Sequence, residues 1–276
     1  VRVGLEAMLQ ALEHPCRIEA ALFTHPADSG LLWRRSYLKS LRPPLSHIEY
    51  CFGQHFDKLP SVPAPRSEDY NTCLQWPNGF PDGAEQLIRM LRRVLVLPAH
   101  DQSIDLALAL DWYKIVDPNV ASTEWKNTDV GQLVNKAKYW TSSPPTRRAA
   151  ANQLIEELAR AIEEHPALCG ASALVSVPGS KGDGVSVGEY IAAGVAQRTG
   201  KVLMRTVGPP REPRKSGSAA GVLDGLFTMP SQLAGSCIVV DDVYRSGATM
   251  RATALAARKA GASTVFCLAA AKTISG

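Results

Sequence analysis

The stretch that most constrains this chain is Cys237-Ile-Val-Val-Asp241-Asp242-Val-Tyr-Arg-Ser246-Gly247-Ala-Thr249. Ile238, Val239 and Val240 form a β-branched run of the kind buried on both faces of a parallel sheet. Two acids follow at the carboxyl end of that strand, where open α/β sheets place their ligand crevice. Ser246, Gly247, Ala248 and Thr249 then offer backbone N–H groups and two hydroxyls at the start of a helix, which suits an anion. Glycine lets the backbone come close to such a group. Carboxylates beside an anion cradle match a sugar phosphate. The acids take ribose hydroxyls, directly or through a divalent cation, and the cradle takes the 5′-phosphate.

The flanking sequence alternates helix and strand. Residues 146–164 read as an amphipathic helix whose buried stripe is Ala150, Leu154, Ile155, Leu158 and Ile162. Residues 173–177 form a strand that runs into the turn Pro178-Gly179-Ser180-Lys181-Gly182. Residues 185–198 read as a helix with Gly200 at its C-cap, and 202–206 as a further strand. Between 207 and 218 the chain interleaves Arg211, Arg214 and Lys215 with Pro, Gly and Ser, next to Arg205. That composition packs no core and reads as a mobile basic loop. A helix over 248–259, Gly261 and a strand over 265–270 complete the pattern. Such alternation predicts an α/β fold with a parallel sheet and right-handed crossovers.

The order of four apolar residues, two acids, three further residues and Ser/Thr-Gly-x-Thr resembles the phosphoribosyl pyrophosphate (PRPP) signature of type I phosphoribosyltransferases. Residues 128–272 are similar, more narrowly, to the ComF-like, amidophosphoribosyltransferase-related branch. The supporting motifs are Lys136-Ala-Lys-Tyr139 ahead of a long helix, Leu174-Val-Ser-Val-Pro178, Gly221-Val-Leu-Asp-Gly-Leu-Phe227 and Ala260-Gly-Ala-Ser-Thr-Val265. The resemblance implies a Rossmann-like parallel sheet of the type I phosphoribosyltransferase kind. It also implies Mg²⁺-dependent transfer of a 5-phosphoribosyl group from PRPP, with release of pyrophosphate, to an acceptor the sequence does not name. Asp241 and Asp242 would hold the ribose and the Mg²⁺, the ion directly or through water. Arg245, Ser246, Gly247, Ala248 and Thr249 would hold the phosphate. Gly179, Ser180 and Lys181 would take pyrophosphate, and Lys181 with Lys215 (or Arg214) of the closing loop would be the catalytic cations. Three features depart from the family. The turn after Val177-Pro178 reads Gly-Ser-Lys-Gly-Asp where an arginine or a longer basic stretch is usual. Tyr244-Arg245 replaces small residues, and the Cys-rich zinc module that often opens ComF-like chains is missing.

Residues 1–127 have no family account and read as a mixed, mostly helical region preceding the 128–276 phosphoribosyltransferase-like domain. Residues 17–23 fit helix or strand. A helix begins after Asp82, with Leu87, Ile88, Leu91, Val94 and Leu95 on one face. Its Arg89, Arg92 and Arg93 read as a solvated face rather than a polyanion site. Residues 71–81 read as a surface loop over a buried Trp76. His47, Cys51 and His55 recur every four residues, so a helix would bring them to one face. Three zinc ligands, or an incidental face broken near Gly53, are the two accounts.

The 276 residues, 45% hydrophobic and 20% charged, describe a globular protein with ample core. A net charge of +4 permits an anionic ligand without marking a nucleic-acid surface. No apolar run approaches about 18 residues, so no membrane span is expected, and no secretory signal opens the chain. Six cysteines without a CxxC pair fit a reducing cytoplasm. The chain starts at Val1 rather than Met, which leaves its N-terminus open. A homodimer is compatible with the fold. Two further functional readings stand beside the enzyme. One is a non-catalytic PRPP- or nucleotide-binding regulator in DNA uptake, mobile-element biology or defence. The other is a nucleic-acid-associated factor using the basic groups.

Overall fold

The computed structural model describes residues 16–24, 33–99, 102–139, 142–211 and 223–274. Arg214 and Lys215 of the basic loop lie outside the described residues. In the N-terminal region the elements are β1 (Ala20–Thr24), β2 (Arg34–Lys39), α1 (Arg42–Phe52), β3 (Asp57–Lys58), β4 (Thr72–Trp76), α2 (Ala84–Met90), β5 (Leu95–Leu97) and β6 (Leu106–Trp112). Helices α3 (Asp129–Lys138), α4 (Pro144–Glu164) and α5 (Pro166–Cys169) follow. The chain continues through β7 (Ala173–Ser176), α6 (Val187–Thr199), β8 (Val202–Arg205), β9 (Gly235–Tyr244), α7 (Ala248–Lys259) and β10 (Ala262–Lys272).

Among its described residues the N-terminal region is not mostly helical. Its strands form a four-stranded antiparallel sheet in the order β1-β2-β4-β3. Strand β4 is buried at four of its five positions, so it lacks the period-two alternation by which a half-buried strand is recognised. Trp76 is fully buried in β4, and its indole N–H donates to Ser36 Oγ of β2 at 3.0 Å. The helix expected after Asp82 is also shorter than its apolar pattern. Helix α2 stops at Met90, and Leu95, Val96 and Leu97 pair antiparallel with Ala109, Leu108 and Ala107 of β6 instead.

The second sheet has six strands in the order β5-β6-β10-β9-β7-β8, parallel except for β5. It therefore draws β5 and β6 from the N-terminal side of residue 127. Alternation along β9 explains its unbroken apolar run. Ile238 and Val240 join a core with Leu154, Leu158, Ile191 and Val195 of α4 and α6. Cys237 and Val239 join another with Met250, Ala254 and Ala257 of α7. Both faces are covered, as a parallel sheet requires. Helix α6 opens with a complete Ser186/Glu189 capping box and ends at Gly200 in the left-handed region. Among the described residues no helix is long and apolar enough to cross a membrane.

Candidate functional site

Strand β9 runs two residues past the acids, and Lys272 of β10 pairs with Tyr244 beyond them. Asp241 and Asp242 are thus inside the sheet's rim rather than at an exposed tip. Asp242 is only 7% exposed. Lys138, the last residue of α3, meets both its oxygens, with Nζ 2.9 Å from Oδ2 and 3.2 Å from Oδ1. Burial pulls the Lys138 ammonium down, but the charge and hydrogen bond of Asp242 outweigh it and hold the pKa above the usual lysine value. Asp241 Oδ1 accepts from the Asp242 N–H at 2.8 Å. Its carboxyl is pushed up to about 8, first by burial and then by the Asp242 charge, with Lys138 opposing. A Cβ on Gly188, near the start of α6, would lie 3.0 Å from Asp241 Oδ1, so the helix start closes on the acid pair.

The placement of Lys138 follows from how α3 is anchored. Thr128 caps α3 by accepting from the Gly131 N–H at 2.9 Å, and its hydroxyl donates to the Trp112 carbonyl at the end of β6. Gly131 leaves no room for a Cβ against the Tyr113 carbonyl. Helix α3 is thereby fixed across the carboxyl end of the sheet. Tyr113, whose hydroxyl accepts from Asn135 Nδ2 at 3.3 Å, has its pKa raised chiefly by burial and lies within the field of Tyr139, Lys138 and Asp242.

On the other side, the signature turn is built on Tyr244. Gly247 caps α7 at φ 77°, a left-handed conformation that glycine adopts freely. A side chain there would collide with the Tyr244 hydroxyl, because the buried Tyr244 ring lies beneath the turn. Lys272 supports the same turn. Its ammonium donates to the Arg245 carbonyl at 3.0 Å and to the Thr273 carbonyl. It also lies 5.7 Å from the Tyr244 ring centre and 5.8 Å from that of Trp112. Burial lowers its pKa to about 8. Ser246 is exposed, while Arg245, Gly247, Ala248 and Thr249 are half-buried at the helix start.

The turn carrying Gly179, Ser180 and Lys181 leaves β7 beside β9, where Ser176 pairs with Val240. Gly179 must be glycine for packing: a Cβ would lie 2.6 Å from that of Ser186. Lys181 is exposed. Arg211, read from sequence as a mobile loop cation, is instead tied to this turn. Its Nη2 donates to the Pro178 carbonyl at 2.7 Å and its Nη1 to the Gly179 carbonyl at 3.3 Å. The loop it opens closes through Val207 and Thr228, which exchange two backbone hydrogen bonds of 2.9 Å.

The fold therefore gathers Asp241, Asp242, Arg245, Ser246, Gly247, Ala248, Thr249, Gly179, Ser180 and Lys181 at one end of the sheet; Lys215 lies outside the described residues. It adds Lys138 and Lys272, which sequence reasoning passed over. The Lys136-Ala-Lys-Tyr139 motif was the available signal for Lys138.

The zinc reading of His47, Cys51 and His55 fails on geometry. Helix α1 ends at Phe52, so His55 is exposed beyond it. His47 is buried and its Nδ1 lies 2.9 Å from His165 Nε2. Among the described residues no group of three or more His, Cys, Asp or Glu side chains is gathered for a metal. An ion at Asp241 and Asp242 would complete its shell with water and ligand oxygens, the mode in which Mg²⁺ is usually held.

No family model and no curated protein matches this chain. Among solved structures it is similar to the orotate phosphoribosyltransferase from Aeropyrum pernix. The match has 20% identity and a TM-score of 0.31, over 56% of this chain and 71% of that one.

Proposed function

We propose that this chain binds PRPP and transfers its 5-phosphoribosyl group to an acceptor with release of pyrophosphate. One observation carries the reading: an acid pair, Asp242 buried and Asp241 half-buried, and a left-handed glycine cap at a helix start lie at the two ends of a single βα turn. Asp241 and Asp242 accept from the ribose hydroxyls. The N–H groups of Gly247, Ala248 and Thr249, with the Ser246 and Thr249 hydroxyls, hold the 5′-phosphate. Gly179, Ser180 and Lys181 receive the pyrophosphate. Lys138, already within 3 Å of Asp242, adds a fixed positive charge where the ribose carries its leaving group, and preorganised charge of this kind favours departure. Mg²⁺ held at the acid pair would neutralise pyrophosphate charge.

Calorimetry with PRPP, with and without Mg²⁺, tests the binding, and pyrophosphate release across a panel of nucleobases and amines tests the transfer. Micromolar binding with release supports the enzyme. Binding without release under any acceptor replaces it with a non-catalytic PRPP sensor. No PRPP binding refutes both.

A further inference from the structure

Arg211 ties down the turn after β7 from outside, beside the turn's own Gly182 N–H to Gly179 carbonyl bond of 3.1 Å. The Arg211 backbone N–H donates to the Ser180 carbonyl at 2.7 Å, and its guanidinium donates to the carbonyls of Pro178 and Gly179. The guanidinium carbon lies 4.9 Å from the Phe227 ring centre. Phe227 is buried against Ala252 and Ala256 of α7, so the clamp is braced on the helix that opens at the signature turn. Three consecutive carbonyls face one residue. In a trans peptide the C=O and N–H of one unit point in opposite directions, and none of the peptide bonds from 178 to 181 is cis. The N–H groups of Gly179, Ser180 and Lys181 are therefore all turned away from Arg211. Among the described residues none of the three donates to a protein acceptor. Successive N–H groups presented on one side form an anion-binding nest. Strand order gives the side: Arg211 follows β8, the acid pair is on β9, and β7 lies between them.

We propose that Arg211 is a positioning residue that sets the amides of Gly179, Ser180 and Lys181 as a nest for a pyrophosphate group, acting from the carbonyl side without touching the ligand. This rests on the reading of the same turn given above as the pyrophosphate subsite. Arginine is needed because its planar fork spans two carbonyls at once, whereas a lysine ammonium is a point donor on a flexible stem. The shortened Gly-Ser-Lys-Gly-Asp turn thereby gains from a distant residue the order that its own sequence does not supply.

The test compares the full chain with Arg211→Lys and Arg211→Gln, using inorganic pyrophosphate and ribose 5-phosphate as separate calorimetric probes. Amide ¹⁵N resonances of residues 179–181 are followed in parallel. Both variants should weaken pyrophosphate binding at least about tenfold and abolish its shifts at those three amides. Ribose 5-phosphate affinity should stay within about twofold, because that ligand uses the acid pair and the α7 cradle. Any turnover should show a raised KM for PRPP with a smaller change in kcat. Wild-type pyrophosphate affinity in Arg211→Lys overturns the proposal, since charge alone would then suffice. Equal loss of both probes overturns it as well, by showing a general structural role. Wild-type protein that binds ribose 5-phosphate but not pyrophosphate sinks the nest alone; binding of neither sinks the site reading itself. If the Arg211 variants melt below the assay temperature, Phe227→Leu loosens the guanidinium platform while leaving Arg211 in place. Its pyrophosphate affinity should fall while ribose 5-phosphate binding persists, and unchanged pyrophosphate affinity counts against the proposal.

Discussion

Acid should destabilise this protein through one buried contact, the hydrogen bond between His47 and His165. Both rings are essentially sealed from water, at 1% and 0% exposure. His165 Nδ1 accepts from the Leu168 N–H at 3.5 Å, so its proton is on Nε2 and is donated to His47 Nδ1. That arrangement needs both imidazoles neutral. Burial lowers the His165 pKa from 6.5 to about 4, and burial followed by the His165 charge lowers His47 well below its ordinary value. A histidine whose folded pKa is depressed makes the unfolded chain the better proton binder. Stability is therefore unaffected above about pH 6.5 and is lost as pH falls from there toward 4. For His165 the fall from 6.5 to about 4 corresponds to about 3 kcal/mol at about 1.4 kcal/mol per pH unit. His47 adds to it in the same direction. The assay is urea unfolding followed by tryptophan fluorescence at steps between pH 7.5 and 4.5, on wild type and a His47→Leu/His165→Asn variant. The asparagine retains a helix-capping oxygen for α5 while both titrating rings are removed. Carboxylates contribute equally to both proteins, so the difference between the two curves isolates the pair. The wild type should lose at least about 2 kcal/mol more than the variant over this range. Parallel curves would refute the argument.

Lys138→Met should leave Asp242 without its partner and, if the acid pair receives PRPP, raise the PRPP Kd at least about tenfold by calorimetry; a variant that binds PRPP as wild type does removes Lys138 from the site. Gly247→Ala forces an alanine into the left-handed region and against the Tyr244 hydroxyl. A cost of about 1–2 kcal/mol in urea is expected, together with weakened ribose 5-phosphate binding. Gly194→Ala would drive a Cβ into Ile155 Cδ1 where α6 crosses α4, with an expected loss of about 1–3 kcal/mol. Adding Ile155→Val, which removes that methyl, should return part of the loss.

The parts of this molecule that were legible in its sequence are those where local pattern and tertiary role coincide. The run from Cys237 to Val240 reads as a doubly buried strand because each successive residue enters a different core. Helix α4 was legible because Ala150, Leu154, Ile155, Leu158 and Ile162 share one packed face. The N-terminal sheet was not. Strand β2 opens with Arg34 and Arg35, and β4 is buried almost throughout, so neither alternates. Leu95 continued a helical period and yet belongs to a strand, because pairing with Ala109 overrides local preference. The site divides in the same way. The acid pair and the Ser246–Thr249 turn are contiguous and carry their own signal. Lys138 reaches Asp242 across 104 positions through the anchoring of α3 on β6, and no local pattern encodes that distance. His47 was visible as a potential ligand, but its partner is 118 positions away.

Those long-range links also bear on how the N-terminal region acts on the site. Strand β6 sits between β5 and β10 in the larger sheet, and its carboxyl end carries three connections. Asp111 forms an ion pair with Arg17, just ahead of β1. The Trp112 ring lies beside the Lys272 ammonium that supports the signature turn, and the Trp112 carbonyl receives the Thr128 hydroxyl that starts α3. Arg17, the Lys272-supported turn and the Lys138-bearing helix are therefore tied to two consecutive residues. A shift of β6 along the sheet would move the cation facing Asp242 and the support beneath Gly247 together. The N-terminal region is for this reason part of the site's framework rather than an appendage beside it, and a change in Arg17 should be felt at the acid pair before it is felt at β7, whose turn is clamped separately by Arg211.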